Sequence, residues 1–277
     1  MRLSKKQITE FQNFIFDWWK SNRRDLPWRH TNDPYHILVS EVMLQQTQVS
    51  RVLPKYDEFL YTFPTVHMLA KASPAKVLRL WKGMGYNRRA LFLKKTAEAV
   101  IHTYNGIFPV DEKSLLTLPG VGSYTSRAIM VFAYRKDVAM VDTNIRQIIT
   151  RHFFDGVPQK EKIIAEIAEQ LVPKGKSWEW HQALMDYGAA SKFERRNLEP
   201  VEGWSKKKTI PFHDSNRFFR GRIMDLLREK SMKERDVLDI MKEVYMKEKE
   251  CIMPILQKLE KDGLIVRSKI GIITLPE

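Results

Sequence analysis

Leu118-Pro119-Gly120-Val121-Gly122 and, further along the chain, Val141-Asp142-Thr143-Asn144 are the stretches that decide the fold. Two glycines flanking one apolar residue predict a tight hairpin with unusual backbone torsions. The helix-forming run 123–134 follows directly, so backbone N–H groups beside a positive helix N-terminus are expected to face an anion such as a phosphate. Asp142 follows in a mostly apolar setting. A phosphate anchor beside a part-buried carboxylate predicts chemistry on a nucleic-acid backbone or sugar.

The composition indicates a basic protein with a sizeable core. The chain has 277 residues, of which 43% are hydrophobic, and its formal net charge is +14. Such a surplus favours a polyanionic partner, although a protein that is merely basic stays open as an alternative. The single cysteine, Cys251, excludes internal disulfides and any all-cysteine metal or iron–sulfur site. No metal is expected, because the seven histidines show no paired ligand spacing.

The N-terminal residues 1–12 lack the apolar run of a signal peptide. No stretch approaches the roughly 18 apolar residues of a membrane span. We therefore expect no membrane partner, a location in the cytoplasm at the nucleoid, and a monomer.

The hydrophobic pattern divides the chain into three parts. The first part is residues 1–191; from Lys5 to Gly188, apolar residues recur at spacings of three and four, which predicts about ten helices and no sheet. Residues 192–215 are polar, basic and aperiodic, as in a linker. Residues 216–277 predict three helices, at about 216–230, 233–246 and 249–262, followed by a β-hairpin, which together describe a winged helix. Whether that part binds duplex or docks on protein stays open, because its own charge is nearly balanced.

Two carboxylates are candidates for chemistry. Asp142 either caps the helix that begins near Asn144 or takes part in catalysis, and the two roles are compatible. Glu41 lies in the apolar run 37–44. Burial there would raise its pKa and keep its carboxyl group protonated, as a general acid requires. The alternative for Glu41 is a glutamate placed at a helix N-terminus by the dipole.

Three polar stretches are candidates for DNA contacts. Residues 45–48, Gln-Gln-Thr-Gln, could wedge into a base stack or form a solvated helix end. Residues 23–29 combine arginines with Trp28 and could border a flipped base, or form a basic loop around a buried tryptophan. Residues 83–89 place Tyr86 and two arginines, including Arg88, at a glycine turn that could brace an opened duplex, or cap a helix.

Five motifs together resemble one family. LPGVGSYTSRAIMVFAYRKDVAMVDTN (118–144) is similar to the helix-hairpin-helix, loop and aspartate of the DNA glycosylase superfamily. SEVMLQQTQV (40–49), RRDLPWR (23–29), GMGYNRRA (83–90) and HQALMDYGA (181–189) resemble, more narrowly, the MutY-type adenine glycosylases. The resemblance spans roughly residues 5–191. It implies a mainly α, two-lobed helix-hairpin-helix fold holding double-stranded DNA that contains a mismatch.

The resemblance also implies roles for individual residues. Glu41 would protonate adenine N7, and Asp142 would stabilise the positive sugar, with Tyr124 and Asn144 beside them. The residues implied to form the adenine pocket are Arg24, Leu26, Trp28, Arg29 and Gln182. Those implied to contact DNA are Gln46, which would wedge into the stack, Tyr86 on the lesion side, Arg88, and the hairpin residues Leu118, Gly120, Val121 and Gly122.

Three departures from the family are visible. The iron–sulfur loop of the family would begin after residue 191, but Lys192, Arg195 and Arg196 stand there without cysteine, so no iron–sulfur cluster or other cofactor is expected. These three basic residues are expected to contact DNA in place of that loop. We do not expect the family's C-terminal domain for 8-oxoguanine, because the last 62 residues are too few for it and predict a winged helix, so the preference for 8-oxoguanine over guanine stays open. Lyase members carry lysine where this chain has Tyr124, so a monofunctional glycosylase without Schiff-base chemistry is expected.

Two other functions stay open. A thymine or uracil glycosylase acting on G mismatches would also carry Tyr124 and Asp142, but it generally lacks a match to Glu41. A non-catalytic DNA-binding protein on the same scaffold is the alternative from another class. Glu41 together with Gln182 favours adenine, opposite guanine or 8-oxoguanine, since pyrimidines have no N7 to protonate.

Overall fold

The structure is a computed structural model, and it describes residues 1–194 and 211–277, without the side chains of residues 191–194. Helices predominate throughout the described residues, and no strand occurs in residues 1–194. The helices of this part are α1 Lys5–Asn22, α2 Pro34–Leu44, α3 Val49–Thr62, α4 Val66–Lys71, α5 Pro74–Leu80, α6 Arg88–Tyr104, α7 Glu112–Leu115, α8 Ser123–Phe132, α9 Thr143–Phe154, α10 Glu161–Leu171 and α11 Ser177–Glu194, with a 3-10 helix at Pro27–Arg29.

Residues 211–277 form the elements that the sequence predicts, with a short 3-10 helix and one strand added. After a 3-10 helix at Phe212–Asp214 come α12 Asn216–Glu229, β1 Met232–Lys233, α13 Glu234–Tyr245, α14 Lys249–Lys261, β2 Val266–Arg267 and β3 Ile272–Thr274. The strands form an antiparallel sheet in the order β1-β3-β2, with Met232 opposite Ile273 and Val266 opposite Thr274. The added strand, β1, joins the predicted hairpin. This order of helices and strands is the one expected of a winged helix.

Helix starts follow the capping chemistry of the sequence. Ser4 and Gln7 form a capping box at the start of α1, and Ser73 accepts a hydrogen bond from the backbone of Lys76 at the start of α5. Asp142 caps α9 in the same way. These side chains satisfy N–H groups that a helix leaves without a partner in its first turn.

The described residues divide into two compact units. The first contains the described residues of Met1–Val42 and Phe108–Gly203, and the second those of Met43–Ile107 and Trp204–Glu277. The predicted division into residues 1–191, a linker 192–215 and residues 216–277 stays a prediction, because most of the proposed linker lies outside the described residues. Within residues 1–194 and 211–277, no helix has both the length and the apolar composition that a membrane crossing requires.

The first unit contains a helical core in which α11 contacts α1, α8 and α9. Its largest fully buried side chains include Trp180, Phe11, Ile15, Ile37 and Leu38. The candidate catalytic residues all belong to this unit, so their mutual geometry is set by its core.

In the second unit, Arg228 joins α12 to α5 and to the turn before α6. Its side chain is buried, and it donates to the carbonyl of Leu78 at 2.9 Å, to Asn87 Oδ1 at 2.8 Å and to Asp225 at 2.7 Å. Helix α12 is therefore fixed against Leu78 and Asn87.

Candidate active site

Glu41 is a buried acid in the last turn of α2, so the alternative placement at a helix N-terminus is wrong. It is 6% exposed among the buried apolar side chains of its own helix, such as Leu38 and Val42. Burial, with the negative charge of Asp142 adding to it, raises the pKa of Glu41 from 4.5 to about 7, against the opposing effect of a hydrogen bond from Tyr124. Glu41 therefore carries a proton in a large fraction of molecules at neutral pH, as a general acid requires.

Tyr124, in the first turn of α8, donates its hydroxyl hydrogen bond to the Glu41 carboxylate. Burial and the negative charges of Glu41 and Asp142 raise the pKa of Tyr124 well above 10, so the phenol keeps its proton. The structure thus brings together the three residues that the sequence singled out.

Asp142 is the N-cap of α9. One carboxylate oxygen accepts from the N–H of Ile145 at 2.7 Å, and the other accepts from the amide of Asn144 at 2.9 Å. These donors and the positive helix terminus stabilise negative charge on Asp142. The capping role is therefore confirmed, and it leaves a fixed anion close to the protonatable Glu41.

His181 fixes the backbone two residues before Asp142. Its Nε2 accepts from the N–H of Met140 at 3.1 Å, and its Nδ1–H donates to the carbonyl of Ser177 at 2.7 Å. Burial lowers the pKa of His181 from 6.5 to about 4, so the imidazole is neutral at physiological pH, as these two contacts require. The ring ties α11 to the chain entering the Asp142 cap.

Arg127 and Glu169 hold the backbone of Ala139, the residue before Met140. Arg127 donates to the carbonyl of Ala139 at 2.8 Å and to Glu169 at 2.6 Å, while Glu169 accepts from the N–H of Ala139 at 3.2 Å. Glu112 binds the same guanidinium at 2.7 Å. The segment leading to Asp142 is therefore fixed by side chains from three helices, none of which the sequence analysis singled out.

Arg24 and Arg29, predicted to line the adenine pocket, both bind Asp186 of α11. Arg29 contacts both carboxylate oxygens, at 2.8 and 2.9 Å, and Arg24 binds with its Nε at 2.5 Å. Trp19 donates to the same carboxylate at 2.8 Å. Although burial alone would raise the pKa of Asp186, the hydrogen bonds and charge of Arg29, with those of Arg24 and Trp19, lower it. These arginines therefore shape residues 23–29 through Asp186, a residue that the sequence analysis missed.

The other three residues predicted for the pocket are buried. Leu26 is 6%, Trp28 is 8% and Gln182 is 4% exposed. Gln182 precedes Asp186 by one turn of α11, so both lie on one face of that helix. The burial of Trp28 fits both interpretations from the sequence, a tryptophan that borders a flipped base and a tryptophan buried under a basic loop. Its role therefore stays a prediction.

The hairpin 118–122 differs from the expectation at one glycine. Gly120 has a φ of +80°, in the left-handed region that favours glycine, but Gly122 has a φ of −96° and a ψ of −179°, which any residue adopts. Leu118 and Val121 are buried, and the N–H of Val121 binds the carbonyl of Leu118 at 3.1 Å. No side chain caps α8, so its first N–H groups are suited to the predicted phosphate.

In the second unit, Gln46 and Tyr86 are exposed and have φ values of +55° and +44°. Neither is a glycine, so both backbones are strained, which is typical of residues whose conformation serves a function. Arg88 is also exposed and lies 3.6 Å from Asp262.

Three of the predicted DNA contacts lie outside what the structure describes. They are the side chain of Lys192 and the whole of residues Arg195 and Arg196. Within the described chain, no cluster of three or more histidine, cysteine or acidic residues could hold a metal ion. An iron–sulfur cluster needs several thiolates, and the chain has one cysteine, so the residues present do not fit such a group.

The chain is similar to known DNA repair proteins. Residues 39–174 match the HhH-GPD superfamily base excision DNA repair protein family. The adenine DNA glycosylase of Mycolicibacterium smegmatis is 34% identical over 275 residues, covering 93% of this chain and 93% of that protein. The thymine/uracil-DNA glycosylase of Methanothermobacter thermautotrophicus is 38% identical over 190 residues, covering 67% of this chain and 86% of that protein.

A solved structure of a thermostable thymine-DNA glycosylase is similar in fold. Its TM-score is 0.63 at 38% identity, and the match covers 66% of this chain and 87% of that one. The chain belongs to the HhH-GPD superfamily of base excision DNA repair proteins, and the predicted mainly α helix-hairpin-helix glycosylase fold is confirmed.

Proposed function

We propose that this protein is a monofunctional DNA glycosylase that releases adenine paired with guanine or 8-oxoguanine in duplex DNA. The observation that carries the proposal is a protonatable buried acid, Glu41, hydrogen-bonded by Tyr124 and close enough to the fixed anion Asp142 to feel its charge. Two carboxyl groups in opposite environments suit a reaction that needs one of them protonated, as a proton donor, and the other ionised, as a stabilising negative charge.

The reaction begins with transfer of the Glu41 proton to adenine N7. The bond between C1′ and N9 then breaks, and its electron pair leaves with adenine, whose protonation makes it a better leaving group. Asp142 stabilises the positive charge left on the sugar, because a preorganised anion in a site shielded from water stabilises such a charge strongly. A water molecule adds to C1′, and one of its protons returns to a carboxylate of the site.

Adenine is favoured over a pyrimidine by Glu41 itself. Thymine and uracil have no N7, so a general acid at this place has no corresponding atom to protonate. The second candidate remains a thymine or uracil glycosylase acting on G mismatches, because a relative of that name shares 38% identity with this chain. A DNA-binding protein without catalysis is the third candidate, and both retained carboxylates argue against it.

One panel of duplexes distinguishes the three. We expect single-turnover release of adenine from A:8-oxoguanine and A:G duplexes, and little release from T:G or U:G. In the variant Glu41→Gln, the loss of the general acid lowers the rate by about 10² to 10⁴ with duplex affinity retained. Release from T:G alone supports the second candidate, and binding without any release supports the third.

The proposed substrate is a double-stranded DNA mismatch, bound by a monomeric protein in the cytoplasm at the nucleoid. The surplus of positive charge supports DNA binding, with Lys192, Arg195 and Arg196 among the contacts. Each phosphate contact adds about 0.9 to the slope of log affinity against log salt. An unchanged slope in the triple alanine variant would remove these residues from the interface.

A further inference from the structure

A large basic groove lies entirely within the second unit. Its volume is about 1190 Å³, and its walls come from the turn after α2, the turn before α6, and helices α12 and α14. This exceeds the roughly 300–1,000 Å³ that hold a small molecule, and it suits a segment of a polymer. The exposed Gln46 and Tyr86 both stand on its wall.

The groove carries a strong excess of positive charge. Nine basic and two acidic residues line it, and both acids are already engaged. Asp262 binds Arg220 at 2.6 Å, and Asp225 binds Arg228 at 2.7 Å. The remaining charge makes the groove a site for an anionic chain such as nucleic acid.

Arg51, Arg217, Lys247 and Lys258, all on the wall, form no ion pair with any acidic residue that the structure describes. Arg217 is the one that contacts a candidate DNA-binding residue. Its guanidinium carbon lies 4.2 Å from the centre of the Tyr86 ring, and its Nη2 lies beside Gly85. The guanidinium covers one face of the ring at cation–π distance and keeps its N–H donors for a ligand.

Arg89 makes this arrangement rigid. It is buried and donates to the carbonyls of Met43 and Met84 at 3.0 Å and of Gln45 at 2.5 Å. One guanidinium therefore fixes both the turn that carries Gln46 and the turn that carries Tyr86.

We propose that this groove holds the DNA strand opposite the excised base, and that Arg217 recognises the guanine left unpaired there. The inference rests on the proposed function for its substrate. The guanidinium donates to N7 and O6 of guanine, the pairing that arginine makes most often with a base. The C-terminal segment thus supplies a specificity residue.

The test pairs Arg217→Ala with a change in the DNA. Adenine release is measured in single turnover opposite guanine and opposite 7-deazaguanine, which has a C–H in place of N7. We expect Arg217→Ala to lower the rate opposite guanine about tenfold. The rate of the wild type should fall by about the same factor when 7-deazaguanine replaces guanine. The variant on 7-deazaguanine should be only slightly slower than with either change alone. Arg235→Ala, at an exposed arginine of α13, is the control and should match the wild type.

Binding provides a second arm that does not depend on adenine release. Affinity for duplexes with an abasic site opposite guanine or 7-deazaguanine should show the same tenfold, non-additive pattern. If no duplex loses adenine but the binding pattern holds, the proposed function fails and the groove assignment stands. An Arg217→Ala variant that keeps wild-type affinity and rate opposite guanine, or that loses the same factor on both duplexes, overturns the assignment.

Discussion

Gly188 of α11 lies directly against Asn144 of α9, so that a Cβ atom on Gly188 would be 2.8 Å from the Cβ of Asn144. Real Cβ atoms essentially never come so close, and the Cβ of Asn144 cannot rotate away because the backbone fixes it. The same Asn144 donates to Asp142 at 2.9 Å. The absent side chain at Gly188 therefore allows α11 to approach Asn144, which in turn holds Asp142, the proposed catalytic aspartate.

Gly188→Ala is expected to move Asn144 and with it the Asp142 carboxylate. Overpacking of this kind costs about 1–3 kcal/mol of unfolding free energy. A displacement near 1 Å at a reacting group can cost about 10²-fold in rate, so adenine release should fall about 10- to 100-fold. Denaturant unfolding and single-turnover kinetics measure the two effects.

Gly221→Ala is the matched control for stability, because an added Cβ in α12 meets nothing within 4 Å. It should be neutral or stabilise by up to about 1 kcal/mol through helix propensity. If Gly188→Ala also behaves as the wild type in both measurements, the close approach has no role in placing Asp142.

Adenine release should decline as the pH rises through about 7. Glu41 is competent as a general acid only when protonated, and its pKa lies at about 7. Above that value the single-turnover rate should fall about tenfold per pH unit. A rate that stays flat from pH 6 to pH 9 would show that another group supplies the proton.

The same shift predicts a pH dependence of stability. The pKa of Glu41 is higher in the folded protein than its ordinary 4.5, so its stabilising contribution is complete below pH 4.5 and is lost as the pH rises through about 7. The loss amounts to about 3 kcal/mol. Glu41→Gln lacks this titration, and the difference in unfolding free energy between the two proteins should therefore change by about that amount between pH 4 and pH 8.

Asp186→Asn should destabilise the first unit strongly. The variant leaves the Arg29 guanidinium, whose side chain is 2% exposed, without its buried counter-charge. Removing one partner of such a pair costs about 3–5 kcal/mol. Asp17→Asn, in the exposed pair with Lys20, is the control and should cost about 1 kcal/mol or less.

A double variant tests the origin of that loss. Replacing Arg29 by Met in the Asp186→Asn background removes the uncompensated charge, so part of the stability should return. Equal losses in the single and double variants would assign the effect to packing of α11 instead.

Much of the fold is readable from the sequence because it is local. The helical run 123–134 corresponds to α8, and the three C-terminal helices begin and end close to the predicted residues, since their apolar spacing and caps are local signals. β1 was missed because a strand of two residues is too short to show alternation. Gly122 was misjudged because one left-handed residue, Gly120, is enough to make the turn.

The site was predicted where a single residue is unusual in its own segment. Glu41 is an acid in an apolar helix, and Asp142 precedes a helix start, so both stand out locally. His181 and Asp186 do not, because their partners are Met140 and Arg29, far away in sequence. His181 lies one helical turn after Ser177, and Asp186 one turn after Gln182, so each pair shares a face of α11, a spacing that could have drawn attention to both residues.

The reaction should stop at an intact abasic site. Lyase chemistry requires an amine that attacks C1′ and forms an imine, and the residue in the first turn of α8 that contacts Glu41 is Tyr124, a phenol with a pKa well above 10. Strand breaks should therefore appear only after alkali or heat, and borohydride should trap no covalent complex of protein and DNA. Tyr124→Phe keeps the ring and removes the hydrogen bond that lowers the pKa of Glu41, so it should shift the pH limit of adenine release upward without creating trapping. Efficient borohydride trapping of the unmodified protein would show that a lysine acts as nucleophile and would contradict the monofunctional assignment.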